Sequence, residues 1–116
     1  MIVDDESDIS LLFKLHLEEL GYQVDVFNHP LMALDKFEFG KYKLAILDVK
    51  MPHMNGFELY TRLKEIDSNC KFCFTTAFET YYESLKEFFP TLDISCFLRK
   101  PVTKKKFMDR IAAELG

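Results

Sequence analysis

The order in which apolar patterns alternate constrains this chain more than any other feature. Ile2-Val3, Gln23 to Phe27, "KLAILDV" at 43 to 49, Cys70 to Thr75 and Ile94 to Leu98 read as strands, and helical periodicity follows each of them. In the first helical stretch Ile9, Leu12, Phe13, Leu17 and Leu20 recur on one face, with Ser7 or Asp8 as cap and Gly21 as stop. Pro30 opens the second, which carries Ala33, Leu34 and Phe37 and is expected to stop at Gly40. Three more are predicted: Gly56 to Ile66, about Thr80 to Phe89 ahead of Pro90, and Thr103 to Leu115. "KLAILDV" is apolar on both faces, as a central parallel strand must be. Five such units predict one α/β domain over residues 1–116: a doubly wound parallel sheet with five helices on both faces and right-handed crossovers.

In sheets of that kind ligands gather beyond the carboxyl ends of the strands. The residues expected there are Asp4 and Asp5 after the first strand, Asp48 after the third, Thr76 after the fourth and Lys100 after the fifth. The second strand ends in Phe27-Asn28, with no comparable charge. Two ionised carboxylates about 4 Å apart repel by ~4 kcal/mol at an effective dielectric near 20. Lys100 carries one charge against three acids, so the pattern calls for a divalent cation. Oxygen-only donors with room for water favour Mg²⁺, with Mn²⁺ as an alternative. Asp48 is the most informative of the three, because it terminates the most apolar strand.

A phosphate cradle of backbone amides is excluded, since the loop after the first strand is acidic where such sites are rich in Gly, Ser or Thr. A carboxylate nucleophile, a metal and a Lys are instead the parts needed to move a phosphoryl group onto Asp48.

Composition narrows the partners. A formal charge of −4 argues against direct nucleic-acid binding, which needs a concentrated basic surface, and the Lys104–Lys106 run reads as a solvated helix start. No apolar run approaches the roughly 18 to 20 residues of a membrane span, and the N-terminus has no secretory pattern, so a cytoplasmic protein is expected. Three Cys argue against a disulfide framework. Cys70 and Cys73 form a CxxC, but residues three apart on a strand face opposite ways, so both are expected to be structural.

Four segments, "VDDE" at 3 to 6, "LDVKMPHMNGFEL" at 47 to 59, "TTA" at 75 to 77 and "FLRKP" at 97 to 101, together resemble the receiver domain of two-component response regulators, the CheY-like family. The resemblance covers essentially the whole chain. It implies a flavodoxin-like fold with strand order 2-1-3-4-5, and a histidine kinase or histidine phosphotransfer protein that donates a phosphoryl group to Asp48. Asp5 then resembles the direct Mg²⁺ ligand, Asp4 its water-mediated companion, Asp48 both ligand and phosphoacceptor, and Lys50 the donor of a backbone carbonyl to the metal. Thr76 matches the hydroxyl that moves toward the phosphoryl oxygens, Lys100 the ammonium that pairs with them, and Phe97 the aromatic that turns inward. A cis Lys100-Pro101 bond is also implied. The switching face would be the fourth helix, fifth strand and fifth helix, which could also serve a homodimer. Phe78 and Lys50 match positions that tune hydrolysis of the acyl phosphate; a large apolar Phe78 hindering the attacking water and a cationic Lys50 contacting the phosphoryl group predict a long-lived phosphorylated state.

Two rivals remain at this level. A Mg²⁺-dependent aspartyl-phosphate phosphatase would place a general acid two residues beyond the nucleophile, where this chain has Lys50. A degenerate receiver serving only as an interaction module would typically lose an acid or the Lys, and none is lost. The expected activity is therefore a switch and not turnover of an external substrate. Only Met1 to Val3 precede the acids, shorter than a usual strand, so a first strand truncated at the N-terminus is expected, and an output domain could follow the last helix.

Overall fold

The computed structural model describes residues 1–77 and 96–116. Its strands are β1 (Ile2–Val3), β2 (Val26–Phe27), β3 (Leu44–Asp48), β4 (Lys71–Thr76) and β5 (Phe97–Arg99), and its helices α1 (Ser7–Glu19), α2 (Pro30–Lys36), α3 (Gly56–Ile66) and α4 (Lys104–Leu115). All pairings are parallel and the order is β2-β1-β3-β4-β5, the expected doubly wound arrangement. Among the described residues there are four helices. The further helix expected over about 80–89, and Phe78, lie outside them.

The pleat sorts alternate residues onto two cores. Val3, Ala45, Leu47, Phe72 and Phe74 pack under α2 and α3, against Ala33, Phe57, Leu59 and Leu63. Ile2, Leu44, Ile46, Cys73 and Leu98 pack under α1 and α4, against Phe13, Leu17, Phe107 and Ile111. Phe13 stacks on Phe107 with ring centroids 4.3 Å apart, which ties the two outer helices of that face together.

Local chemistry sets the boundaries. Gly21, at φ +89°, ends α1: its amide donates to Glu18 O at 3.0 Å and that of Tyr22 to Leu17 O at 3.2 Å. Asn55 and Thr103 cap α3 and α4 by accepting from Glu58 N and Lys106 N. α2 stops at Lys36, short of the expected Gly40, because Phe37 is already extended (ψ 132°) and turns its ring into the core. β2 is only two residues of the predicted five, since β1, its sole neighbour among the described strands, offers two residues to pair with.

The cysteines depart from expectation in one respect. Cys70 and Cys73 do fall into opposite cores, but Cys73 is disulfide-bonded to Cys96, 23 residues on, with Cα atoms 4.6 Å apart. Register explains the pairing: Phe74 lies opposite Phe97, so Cys73 on β4 meets Cys96, the residue just ahead of β5. Cys70 is free and buried.

Candidate functional site

The row at the carboxyl end of the α1/α4 face is where the sheet turns polar. Ile2 pairs with Ile46, Asp48 with Thr75 and Thr75 with Leu98, so Asp4, Asp48 and Thr75 form one line across β1, β3 and β4, with Lys100 two residues beyond Leu98 on the same face. Asp4 is 1% exposed, Asp48 4% and Lys100 8%.

Lys100 Nζ lies 2.8 Å from Asp4 Oδ2, 3.2 Å from Glu6 Oε1 and 3.5 Å from Asp48 Oδ1. Burial alone would lower the ammonium's pKa, but the hydrogen bond to Asp4, the charges of Asp48 and Asp4 and the bond to Glu6 outweigh it and hold it above its usual value. The Lys100-Pro101 bond is cis, and Lys100 N donates to Thr76 O at 2.7 Å, which locks the end of β5 to that of β4. Asp4 Oδ1 accepts from Glu6 N at 2.9 Å and shapes the acidic loop, while Asn28 Nδ2 donates to Asp4 O at 2.7 Å.

Among the described residues Asp48 has the most perturbed carboxyl group. Burial, the charge of Asp4, and the neighbouring Asp5, which accepts a hydrogen bond from the protonated form, push its pKa up to about 7 against the opposing pull of Lys100. One shared ammonium leaves the site short of positive charge, and that shortage favours the protonated form of Asp48. A divalent cation fits that deficit. Carboxylate oxygens of Asp4, Glu6 and Asp48 all lie within 4.8 Å of one another, an oxygen-only donor set suited to Mg²⁺ or Mn²⁺.

An open cavity of about 440 Å³ sits over this cluster, edged by Asp5, Glu6, Lys50, Met51, Pro52 and Ala77. Asp5 and Lys50 are thus exposed at its rim. Thr76 is buried at the end of β4 and does not line the opening. Phe97 is half-buried and packs against the α2/α3 core, on the opposite face from Lys100.

Two residues emerge here that sequence reading did not single out. Glu6 occupies the cap position of α1 yet makes no side-chain cap bond, because its carboxylate is drawn to Lys100. The signal was present: an acid two residues beyond Asp4 at a helix start faces the same rim. Gly56 lets α3 begin directly against β3, for a Cβ there would overlap the Asp48 carbonyl oxygen. His53 adopts a left-handed φ of 72° and stacks on His29, with centroids 5.0 Å apart, beside the loop after β3.

Such a sheet, with carboxylates gathered around a buried Lys at its carboxyl rim, defines the class of CheY-like α/β domains. The profile of the response regulator receiver domain matches residues 1–112, and the chain belongs to that family. It is 32% identical over 117 residues to the uncharacterized transcriptional regulatory protein YkoG of Bacillus subtilis, covering 99% of this chain and 50% of YkoG. The non-phosphorylated HemR receiver domain of Leptospira biflexa superimposes with a TM-score of 0.87 at 26% identity, covering 99% of this chain and 91% of that one. TrrA of Thermotoga maritima, solved in complex with Mg²⁺ and BeF, gives a TM-score of 0.81 at 28% identity, over 97% of this chain and 95% of that one. Receiver domains are signalling switches that bind Mg²⁺ at an acidic pocket and take phosphate from histidine kinases or phosphotransfer proteins. The chain spans half the length of YkoG. Among the described residues no helix is long and apolar enough to cross a membrane.

Proposed function

We propose that this domain is a phosphoryl-accepting switch in the cytoplasm, with Asp48 as the acceptor. The observation that carries the reading is the Asp4–Asp48–Lys100 row: two buried carboxylates share one ammonium and lack one further positive charge. Mg²⁺, held by Asp48 with Asp4, Asp5 or Glu6 and by the Lys50 carbonyl, would neutralise the acids and the charge developing on the phosphoryl oxygens.

In the transfer, an Asp48 carboxylate oxygen forms the new O–P bond while the P–N bond of a donor phosphohistidine breaks. The nitrogen leaves with the bonding pair and takes up a proton. Lys100 is already within 3.5 Å of the acceptor and can follow the charge onto the phosphoryl oxygens. Thr76 then turns toward them, and Phe97 moves inward behind it. Both sit on strands whose ends are joined by the Lys100 N to Thr76 O bond, so the two motions are mechanically linked. Output would follow from altered binding at the surface formed by β5, α4 and the helix expected over about 80–89, either to a downstream partner or to a second receiver. A groove along Leu98, Arg99, Val102, Lys106 and Arg110 supports that placement. Lys50 at the rim, with Phe78, would slow the attack of water and prolong the phosphorylated state.

The test is an intact mass after incubation with Mg²⁺ and acetyl phosphate. One added phosphoryl group is expected, absent in Asp48→Asn and abolished by EDTA. A wild-type protein that is folded and binds Mg²⁺ yet gains no mass would overturn the assignment.

A further inference from the structure

Thr75 is the one member of the polar row that the transfer described above does not use. It is 1% exposed, and its Oγ1 has no hydrogen-bond partner among the described residues. A buried hydroxyl left unpaired is costly, so its presence in a packed strand demands an explanation. The pleat places its side chain on the α1/α4 face, as it does Cys73 two residues earlier. Its backbone carbonyl is already used, since Thr75 O accepts from Val49 N at 2.9 Å.

Position supplies the explanation. Thr75 is in register with Asp48 on one side and with Leu98 on the other. Lys100 starts from β5, yet its Nζ lies 3.5 Å from Asp48 on β3 and 2.8 Å from Asp4 on β1. The route between those strands crosses β4, and the β4 residue in that row is Thr75. Thr75 therefore occupies the place in the row between the acceptor's strand and the strand that carries Lys100.

We propose that Thr75 is a positioning residue for the phosphorylated state, its hydroxyl donating to the Asp48 carboxyl oxygen that Lys100 leaves when the ammonium moves onto the phosphoryl group. At rest Lys100 faces Asp48 Oδ1 and the hydroxyl is idle. After transfer the acyl oxygen on the β4 side loses the ammonium, and the nearest neutral donor in the row is Thr75. A hydroxyl suits this role because it can donate without adding charge beside an already crowded set of acids. Its cost falls on the resting state and its benefit on the phosphorylated one, so Thr75 biases the switch toward the latter. This inference rests on the reading of Asp48 as acceptor.

The experiment compares Thr75→Val, which keeps the shape and removes the hydroxyl, with Thr75→Ser, which keeps the hydroxyl. Thermal midpoints are measured with and without Mg²⁺ and beryllofluoride, and beryllofluoride affinity is titrated by a change in tyrosine fluorescence or by calorimetry. Thr75→Val is expected to raise the midpoint of the resting protein by about 4 °C, the shift that relief of one unpaired hydroxyl gives in a domain of this size. It should also bind beryllofluoride roughly tenfold more weakly, which offsets that gain, and Thr75→Ser should restore the affinity. A purely structural role would change both states alike and leave the affinity untouched. Equal affinity in wild type and Thr75→Val overturns the inference while leaving Asp48 in place. A Thr75→Val protein that does not fold overturns it too, since the hydroxyl would then be holding the resting fold. Absence of any beryllofluoride binding by wild type defeats the Asp48 reading itself, and this inference with it.

Discussion

The two faces of the sheet are built from alternate residues of the same strands, yet they end differently. Under α2 and α3 the sheet stays apolar to the rim, through Leu47 and Phe74 and on into Val49 and Met51. Under α1 and α4 it is apolar through Ile2, Ile46 and Leu98 and then turns, in its last row, to Asp4, Asp48, Thr75 and Lys100. One face is a frame and the other carries the chemistry. Because side chains alternate with a period of two, a one-residue slip of β3 would exchange Asp48 for Leu47, so the apolar face is what holds the acids in place.

The largest effect should come from breaking the frame. Phe74 is fully buried and contacts Phe57 and Tyr60, with centroids 4.8 and 5.5 Å away. Phe74→Ala is expected to lose about 3–5 kcal/mol in urea denaturation, the usual cost of a large aromatic removed from a core. Excess Mg²⁺ should recover only a small part of that loss. Full recovery would mean that the two faces are not separable in this way.

A smaller effect, of opposite character, belongs to the chemical face. The folded pKa of Asp48, about 7, lies above its ordinary value of 3.8, so between those values the native state binds more protons than the unfolded state. Stability of the metal-free protein should therefore fall as pH rises from about 4 through 7. The shift of about three units, at 1.36 kcal/mol each, bounds the loss at roughly 4 kcal/mol. Asp48→Asn should flatten the slope, and so should saturating Mg²⁺, which supplies the missing charge. Denaturation midpoints at pH 5 and 8 with EDTA measure it. A metal-free stability that rises over this interval would place the missing charge elsewhere.

The sequence made the frame legible because its periods are long-range and redundant: "KLAILDV" could only be central, and the order of strands and helices left little freedom in topology. The acids and Lys100 were legible for the same reason, since strand ends are countable. What escaped was contact across strands. Glu6 stood in the acidic segment without a role of its own until Lys100 was seen to claim it, and Thr75 read as a strand residue beside the more conspicuous Thr76. The Cys73–Cys96 bond escaped likewise, because a CxxC draws attention to neighbours in sequence while the partner is a neighbour in register.

The smallest expected effect lies where the two faces meet, at the β2 edge. That strand contributes no charge to the rim, but Asn28 just beyond it donates to Asp4 O at 2.7 Å and to Ser10 Oγ at 3.0 Å. It thereby pins the acidic loop to the start of α1 without touching a carboxylate. Asn28→Ala should cost about 1 kcal/mol, the ordinary worth of such a bond. Its more telling consequence is on Mg²⁺: a loosened Asp4 loop should weaken binding a few-fold with the pH slope little changed, because burial, the largest cause of the Asp48 shift, is untouched. Isothermal titration with Mg²⁺ beside the two-pH denaturation distinguishes the outcomes. A changed slope at unchanged Mg²⁺ affinity would mean that Asn28 acts through the charge balance of the row and not through the geometry of the loop.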